Sequence, residues 1–262
     1  MIGAIIGDIA GSRFEWHNIK TKEFELFTES SRMTDDSVMT LAIAKALLDT
    51  SPDYSGLGPQ SVKSMQRLGR YYEDAGYGRN FLRWIFSENP RPYNSYGNGA
   101  AMRVSPCGLF ADSLDQAREL ARRVTEVTHN HPEGIRGAEA TASAVYLARS
   151  GESIPSIRTY ITEHFYPIGF TLDSIRDEYS FDVSCQGSVP QALEAFFEST
   201  DFEDAIRNAI SIGGDSDTIG AIAGGVAGAF YGVPDKLREE ALAFFDLDQV
   251  EILFAAEKAL ER

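Results

Sequence analysis

The 262-residue sequence predicts an all-α fold, and three observations carry that prediction. Apolar residues recur at three- and four-residue spacing in about ten segments, with charged residues between them. No segment shows a sustained alternation of apolar and polar residues. Capping residues and prolines stand where such helices would begin.

In chain order, the first element is MIGAIIGDIAGS, an apolar stretch in which Asp8 reads as a turn residue beside Gly7. TDDS (34–37) precedes VMTLAIAKALL, whose composition suits a core helix. AAMRVSP (100–106) reads as a short helix after a glycine loop. Ala117, Leu120, Ala121, Val124 and Val127 line one face of a helix over 115–127. Ile135, Ala138, Ala142 and Val145 do the same over 133–149. Thr200 and Glu203 make a capping-box signature ahead of Ala205, Ile206, Ala209 and Ile210. Gly220, Gly224 and Gly228 fall four apart on a helix over 218–231. Glycine costs up to about 1 kcal/mol per helical position, so that stripe implies close approach by another helix. Pro234 suits the first position of the next helix, DKLREEALAFF. Three stretches break the rhythm, 51–60, 87–99 and 163–190, and the last is long enough to be functional or mobile. Composition does not shift across them and no internal repeat is visible, so one domain over 1–262 is expected.

Asp plus Glu number 39 against 24 Lys plus Arg, a net charge of −15. A surface that acidic lacks the basic footprint that duplex nucleic acid requires, and anionic membranes repel it. The tract Ile219–Val233 is 15 residues long, short of the ~20 that span a bilayer. The N-terminus has no basic n-region. Cys107 and Cys185 are too few for a disulfide framework or a cysteine-rich zinc site. They read as reduced thiols of a cytoplasmic protein, and a monomer is expected.

Oxygen ligands concentrate in two places, Thr34, Asp35, Asp36 and Ser37 in one, and Asp215, Asp217 and Thr218 in the other. Each cluster opens an apolar helix, and singly each is explained as a helix cap. If the two helix starts meet, Asp35, Asp36, Asp215 and Asp217 share one small volume. Like charges that close raise one another's pKa and cannot all stay ionised without a cation. Hard oxygen donors suit Mg²⁺, Mn²⁺ or Ca²⁺ over zinc or copper. An EF-hand is excluded, because DSDTIG places Ile219 at the fifth position and Val226 at the twelfth, where Glu is required.

The loop YNSYGNGAAMR (93–103) is the second feature. Gly97 and Gly99 flank Asn98, permit positive φ and leave amides to line an anion, although a tight turn explains them too. The loop is neither a Walker loop nor a dinucleotide fingerprint. Arg103 either faces a phosphate or makes a helix-surface ion pair. His129 and His131, in THNHPEG, lack a third soft ligand for zinc. An imidazole that meets a ligand, or one that caps the preceding helix, are the two readings. Glu15 is a carboxylate without an assigned partner.

Taken in order, GDIAGSRFE (7–15), TDDS (34–37), SYGNGAAMR (95–103), Thr128–His129 and GGDSDT (213–218) resemble the ADP-ribosylglycohydrolases. These motifs span most of the chain. The resemblance implies a compact single-domain orthogonal helix bundle whose central cleft holds two Mg²⁺ or Mn²⁺ ions. By motif, Thr34, Asp35, Asp36, Asp215, Asp217 and Thr218 would be the metal ligands; Ser37 stands where many relatives carry Thr. Ser95, Tyr96, Gly97, Asn98 and Gly99 would hold the diphosphate and distal ribose of an ADP-ribose-bearing substrate, with His129 lining the distal-ribose pocket. Glu15 falls at the position of a glutamate that gates the metal site. Glu15, Asp35 and Asp36 are the candidate general acids or bases.

The implied reaction is hydrolysis of the N- or O-glycosidic bond at the anomeric carbon, releasing ADP-ribose. Oxocarbenium charge develops there while water attacks, and two cations can orient the ribose hydroxyls and activate that water. Ser95 stands where arginine-cleaving members carry an Asp that contacts the guanidinium. The loop therefore resembles the branch acting on serine-linked ADP-ribose, O-acetyl-ADP-ribose or poly(ADP-ribose). Two alternatives stay open: a non-catalytic ADP-ribose-binding or structural member, and another Mg²⁺-dependent phosphoester hydrolase.

Overall fold

Helix starts set the architecture of the computed structural model, which describes residues 1–261. In chain order the helices are α1 (Ile2–Gly11), α2 (Asp35–Thr50), α3 (Leu57–Tyr71), α4 (Arg79–Ile85), α5 (Ser105–Phe110), α6 (Leu114–Thr125) and α7 (Pro132–Arg149). They continue as α8 (Ile154–His164), α9 (Leu172–Ile175), α10 (Cys185–Phe197), α11 (Phe202–Ser211), α12 (Ser216–Phe230), α13 (Asp235–Leu242) and α14 (Leu247–Leu260). Among the described residues no strand forms, and one isolated bridge joins Gly97 to Ser184. The fold is all-α. The helices beyond the expected ten include α4 and α9, each too short to display a period.

α1 and α12 form the centre. Every residue of α1 is buried, and so is α12 from Ser216 to Ala227. The glycine stripe on α12 meets a second stripe, Gly3, Gly7 and Gly11, on α1. A Cβ at Gly7 would lie 2.0 Å from the Gly220 carbonyl oxygen, and one at Gly224 would lie 2.3 Å from the Gly3 oxygen. The two backbones are in direct contact. α7, α10 and α11 pack around α12, while α2 lies against α1 and carries α3 and α14 on its outer side. Among the described residues no helix is long and apolar enough to cross a membrane.

Several local readings change. Asp8 is not in a turn; it lies inside α1, wholly buried. AAMRVSP does not form one helix. A 3₁₀ turn at Asn98–Ala100 is followed by α5, because Pro106 suits only a helix start. The segment 163–190 contains the end of α8, the single-turn α9 and the start of α10, leaving 165–171 and 176–184 as the irregular parts. α11 is capped by Asp201 instead of Thr200: the Asp201 carboxylate accepts from the Asp204 amide at 2.8 Å. Thr200 Oγ1 donates to Asp204 Oδ2. Pro234 takes the capping position itself, one residue before α13. Asp201→Ala should therefore lower stability by about 1 kcal/mol, and Thr200→Ala by clearly less. Urea midpoints of the two variants check the assignment.

Candidate active site

The site forms where α1, α2 and α12 converge. Asp8, projecting from α1, holds the start of α2. Its Oδ1 accepts from Thr34 Oγ1 at 2.7 Å. Its Oδ2 accepts from the amides of Thr34 and Ser37, each at 3.0 Å, and from the Ser37 hydroxyl. Thr34 also caps α2 through the Asp36 amide. The single Thr34 hydroxyl proton goes to Asp8, so Asp36 Oδ2 is left with one long contact from Thr218 Oγ1 at 3.3 Å. Asp36 Oδ1 is buried with no hydrogen-bond partner at all.

On the other side, a left-handed turn at Gly213 (φ 70°) and Gly214 (φ 79°) delivers Asp215 and Asp217. Only glycine adopts that conformation without strain. Asn18 clamps the turn by a reciprocal pair, Nδ2 to the Gly214 oxygen and Oδ1 from the Gly214 amide, both 2.8 Å. Lys20 Nζ adds a bond to the Ile212 oxygen at 2.6 Å. The same Asn18 donates to the Phe14 oxygen, which ties the Glu15 segment to the turn.

Two carboxylate triads result. Asp8, Asp36 and Asp217 bring oxygens within 4.8 Å of one another, and so do Glu15, Asp215 and Asp217. Asp217 belongs to both. Asp35 belongs to neither triad and is partly exposed beside them. Burial, reinforced by neighbouring carboxylates, pushes Asp36 and Asp217 well above the usual range. Burial and then Asp8 and Asp215 push Asp35 up to about 8. Burial and then Asp215 push Glu15 up to about 7, with Arg32 as an opposing cation. An all-oxygen donor set with an orphaned, buried carboxylate oxygen fits hard divalent cations.

The loop Tyr93–Arg103 closes one side. The Asn98 amide donates to the Val183 oxygen at 2.7 Å, and the Cys185 amide to the Tyr96 oxygen at 2.9 Å. Asn98 Nδ2 reaches Asp215 Oδ2 at 2.7 Å, linking loop and triad. Among the described residues the amides of Tyr96 and Gly99 have no hydrogen-bond partner. Positive φ is not why glycine occurs here; in this loop only Asn94 has it. Space is tight instead: a Cβ at Gly99 would lie 3.3 Å from His129 Nε2, and one at Gly97 would lie 3.3 Å from Ser95 Oγ.

His129 is buried, and burial together with Arg103 holds its imidazole well below the usual range, hence neutral. His131 caps the N-terminus of α7, not the end of α6. Arg103 makes no surface ion pair; it is 1% exposed. Trp16, next to Glu15, is 69% exposed and stacks on Phe181 with ring centroids 4.9 Å apart. That contact carries the irregular stretch 176–184 to the rim of the site. Asp8 and Asn18 are the participants that sequence reasoning missed.

The family model described as ADP-ribosylglycohydrolase matches residues 1–261. The chain is 26% identical to the ADP-ribosylhydrolase ARH3 of Homo sapiens, over 95% of this chain and 89% of that protein. It is 25% identical to the ADP-ribosyl-[dinitrogen reductase] glycohydrolase of Rhodospirillum rubrum, over 89% of this chain and 85% of the relative. A solved structure described as an ADP-ribosylglycohydrolase-related protein complex superposes with a TM-score of 0.70 at 25% identity, covering 97% of this chain and 93% of its own.

Proposed function

Because the chain belongs to the ADP-ribosylglycohydrolase family, a family of hydrolases, we propose that it releases ADP-ribose from O-linked conjugates with the help of two Mg²⁺ or Mn²⁺ ions. The observation that carries this reading is the pair of carboxylate triads sharing Asp217, with Asp36 Oδ1 buried and unpartnered.

Asp36 and Asp217, with the hydroxyls of Thr34 and Thr218, would hold one ion; Asp215, Asp217 and Glu15 would hold the other. Asp8 already accepts four hydrogen bonds, which suits it to fixing Thr34 in place. Bound cations supply positive charge and Lewis acidity at the ribose. Of the six clustered carboxylates, Glu15 and Asp35 are the two that solvent reaches. A general acid or base must exchange its proton with substrate and solvent, so these two are the candidates by position, ahead of the buried Asp36. The free amides of Tyr96 and Gly99 would meet the diphosphate, while Asn98 braces Asp215. The whole of 1–262 would act as one domain, as a cytoplasmic monomer.

Ser95 turns its hydroxyl inward to the Gly97 amide at 3.2 Å and offers no carboxylate to a guanidinium. Serine-linked ADP-ribose and O-acetyl-ADP-ribose should therefore be cleaved faster than arginine-linked ADP-ribose. Comparison of ADP-ribose release from the three conjugates tests this, and faster arginine cleavage would overturn it.

Thermal unfolding of metal-stripped protein tests the reading as a whole. A ligand at 100 times its Kd adds roughly 2.7 kcal/mol. Mg²⁺ and ADP-ribose together should raise the melting temperature by more than the sum of their separate shifts. No shift with either would leave the carboxylates as helix caps only.

A further inference from the structure

One buried polar chain is not used by the reading above. It runs from Arg103 to His129. Arg103 has no carboxylate within ion-pair distance among the described residues, and its Nε is buried without a partner. Its guanidinium carbon lies 5.5 Å from the centre of the Phe81 ring, and Nη2 donates to Thr128 Oγ1 at 2.7 Å. A buried, unpaired guanidinium is costly, so a helix-surface role does not account for it. Thr128 Oγ1 in turn lies 2.7 Å from His129 Nδ1.

The proton positions follow from the donor inventory. Arg103 can only donate, so one Thr128 lone pair is taken. The Thr128 hydroxyl has one proton and two possible acceptors: His129 Nδ1 at 2.7 Å and the Thr125 oxygen at 3.3 Å. The shorter contact is of normal hydrogen-bond length and the longer one is not. A Thr128 proton on Nδ1 also places the ring's lone pair, not its N–H, toward the Arg103 charge. The hydrogen bond made by one imidazole nitrogen determines which nitrogen carries the proton.

We infer that Arg103 is a positioning residue that acts through Thr128 to lock His129 as its neutral Nε2–H tautomer, a permanent hydrogen-bond donor beneath the Gly97–Gly99 loop. The acceptor it suits is an oxygen of the substrate's ribose or diphosphate, and in that respect the inference rests on the proposed ADP-ribose site. With the opposite tautomer, Nε2 would present a lone pair to those oxygens and repel them.

Nitrogen-15 NMR of histidine-labelled full-length protein tests it without substrate, His129 being assigned by comparison with His129→Gln. The expected spectrum shows a protonated, pyrrole-type Nε2 and an unprotonated Nδ1. Thr128→Val should abolish that preference and weaken ADP-ribose binding about tenfold, the loss expected for one hydrogen bond to a charged group. Thr128→Ser should restore both, and it guards against a variant that merely folds badly. A protonated Nδ1 in the wild type, or an unchanged tautomer in Thr128→Val, would overturn the relay. So would a changed tautomer with unchanged ADP-ribose affinity. If the wild type binds no ADP-ribose, the functional reading fails separately, and the two spectra still decide the relay.

Discussion

Asp217→Asn is expected to cut turnover roughly a thousandfold, the several kcal/mol that a metal centre contributes, while raising the melting temperature of the metal-free protein. Asp217 is the one carboxylate shared by both triads, so its loss would weaken both proposed cation sites together. Without cations the same carboxylate is a liability. Burial and repulsion from Asp36 and Asp215 push it toward its neutral form. Asn has the same shape and keeps an oxygen for the Thr218 amide, which donates at 3.0 Å, but adds no charge. Each kcal/mol recovered should appear as about 2–4 °C in a chain of this size. Steady-state release of ADP-ribose and melting in excess EDTA check the two halves. A lower melting temperature for metal-free Asp217→Asn would mean that the carboxylate is a structural hydrogen-bond partner instead.

Gly7→Ala is the second large effect, and its direction opposes helix propensity. In an isolated helix the change would gain up to about 1 kcal/mol. Here the new methyl would lie 2.0 Å from the Gly220 oxygen and 2.3 Å from its carbonyl carbon. Neither is the end of a flexible side chain; the backbones of α1 and α12 would have to part. Overpacking typically costs 1–3 kcal/mol and occasionally more, and this case belongs at or beyond the upper end, roughly 3 kcal/mol or more. Gly58→Ala in α3 is the control, since its Cβ would meet nothing closer than 3.8 Å and should gain rather than lose. Urea denaturation of both variants should give opposite signs.

What could be read in the sequence was what announces itself by type and neighbourhood. TDDS and GGDSDT each pair carboxylates with hydroxyls at a helix start, which made them visible as candidate ligands, while their meeting was implied only by the family resemblance. The stripe on α12 likewise announced a close neighbour, though not which one. Asp8 could not be read this way. A single Asp in an apolar run looks like an interruption until the amides and hydroxyls of Thr34 and Ser37 are placed around it. Arg103 is hidden for the same reason, because its partners Phe81 and Thr128 are distant in sequence. The cap of α11 was misjudged by one residue because Thr200 and Asp201 are both competent caps, and only geometry chooses between them. Gly97 and Gly99 were read for their dihedral freedom, whereas neither has positive φ and their neighbours Ser95 and His129 are what crowd them.

The contact between α1 and α12 also bears on the order of assembly. α1 precedes every other helix described and is buried around its whole circumference, yet its main partner begins at Ser216. Pairings so remote along the chain must wait for closure of nearly the entire loop between them, and such contacts slow folding. During synthesis α1 therefore leaves the ribosome long before its main partner, with only α2 to pack against early, and Asp8 without Asp217. The two carboxylate triads cannot assemble before Asp215 and Asp217 have been made, so any cation they hold must load after α12 has begun to form. Until α12 arrives, the future core helix is the segment most exposed to chaperones and to aggregation.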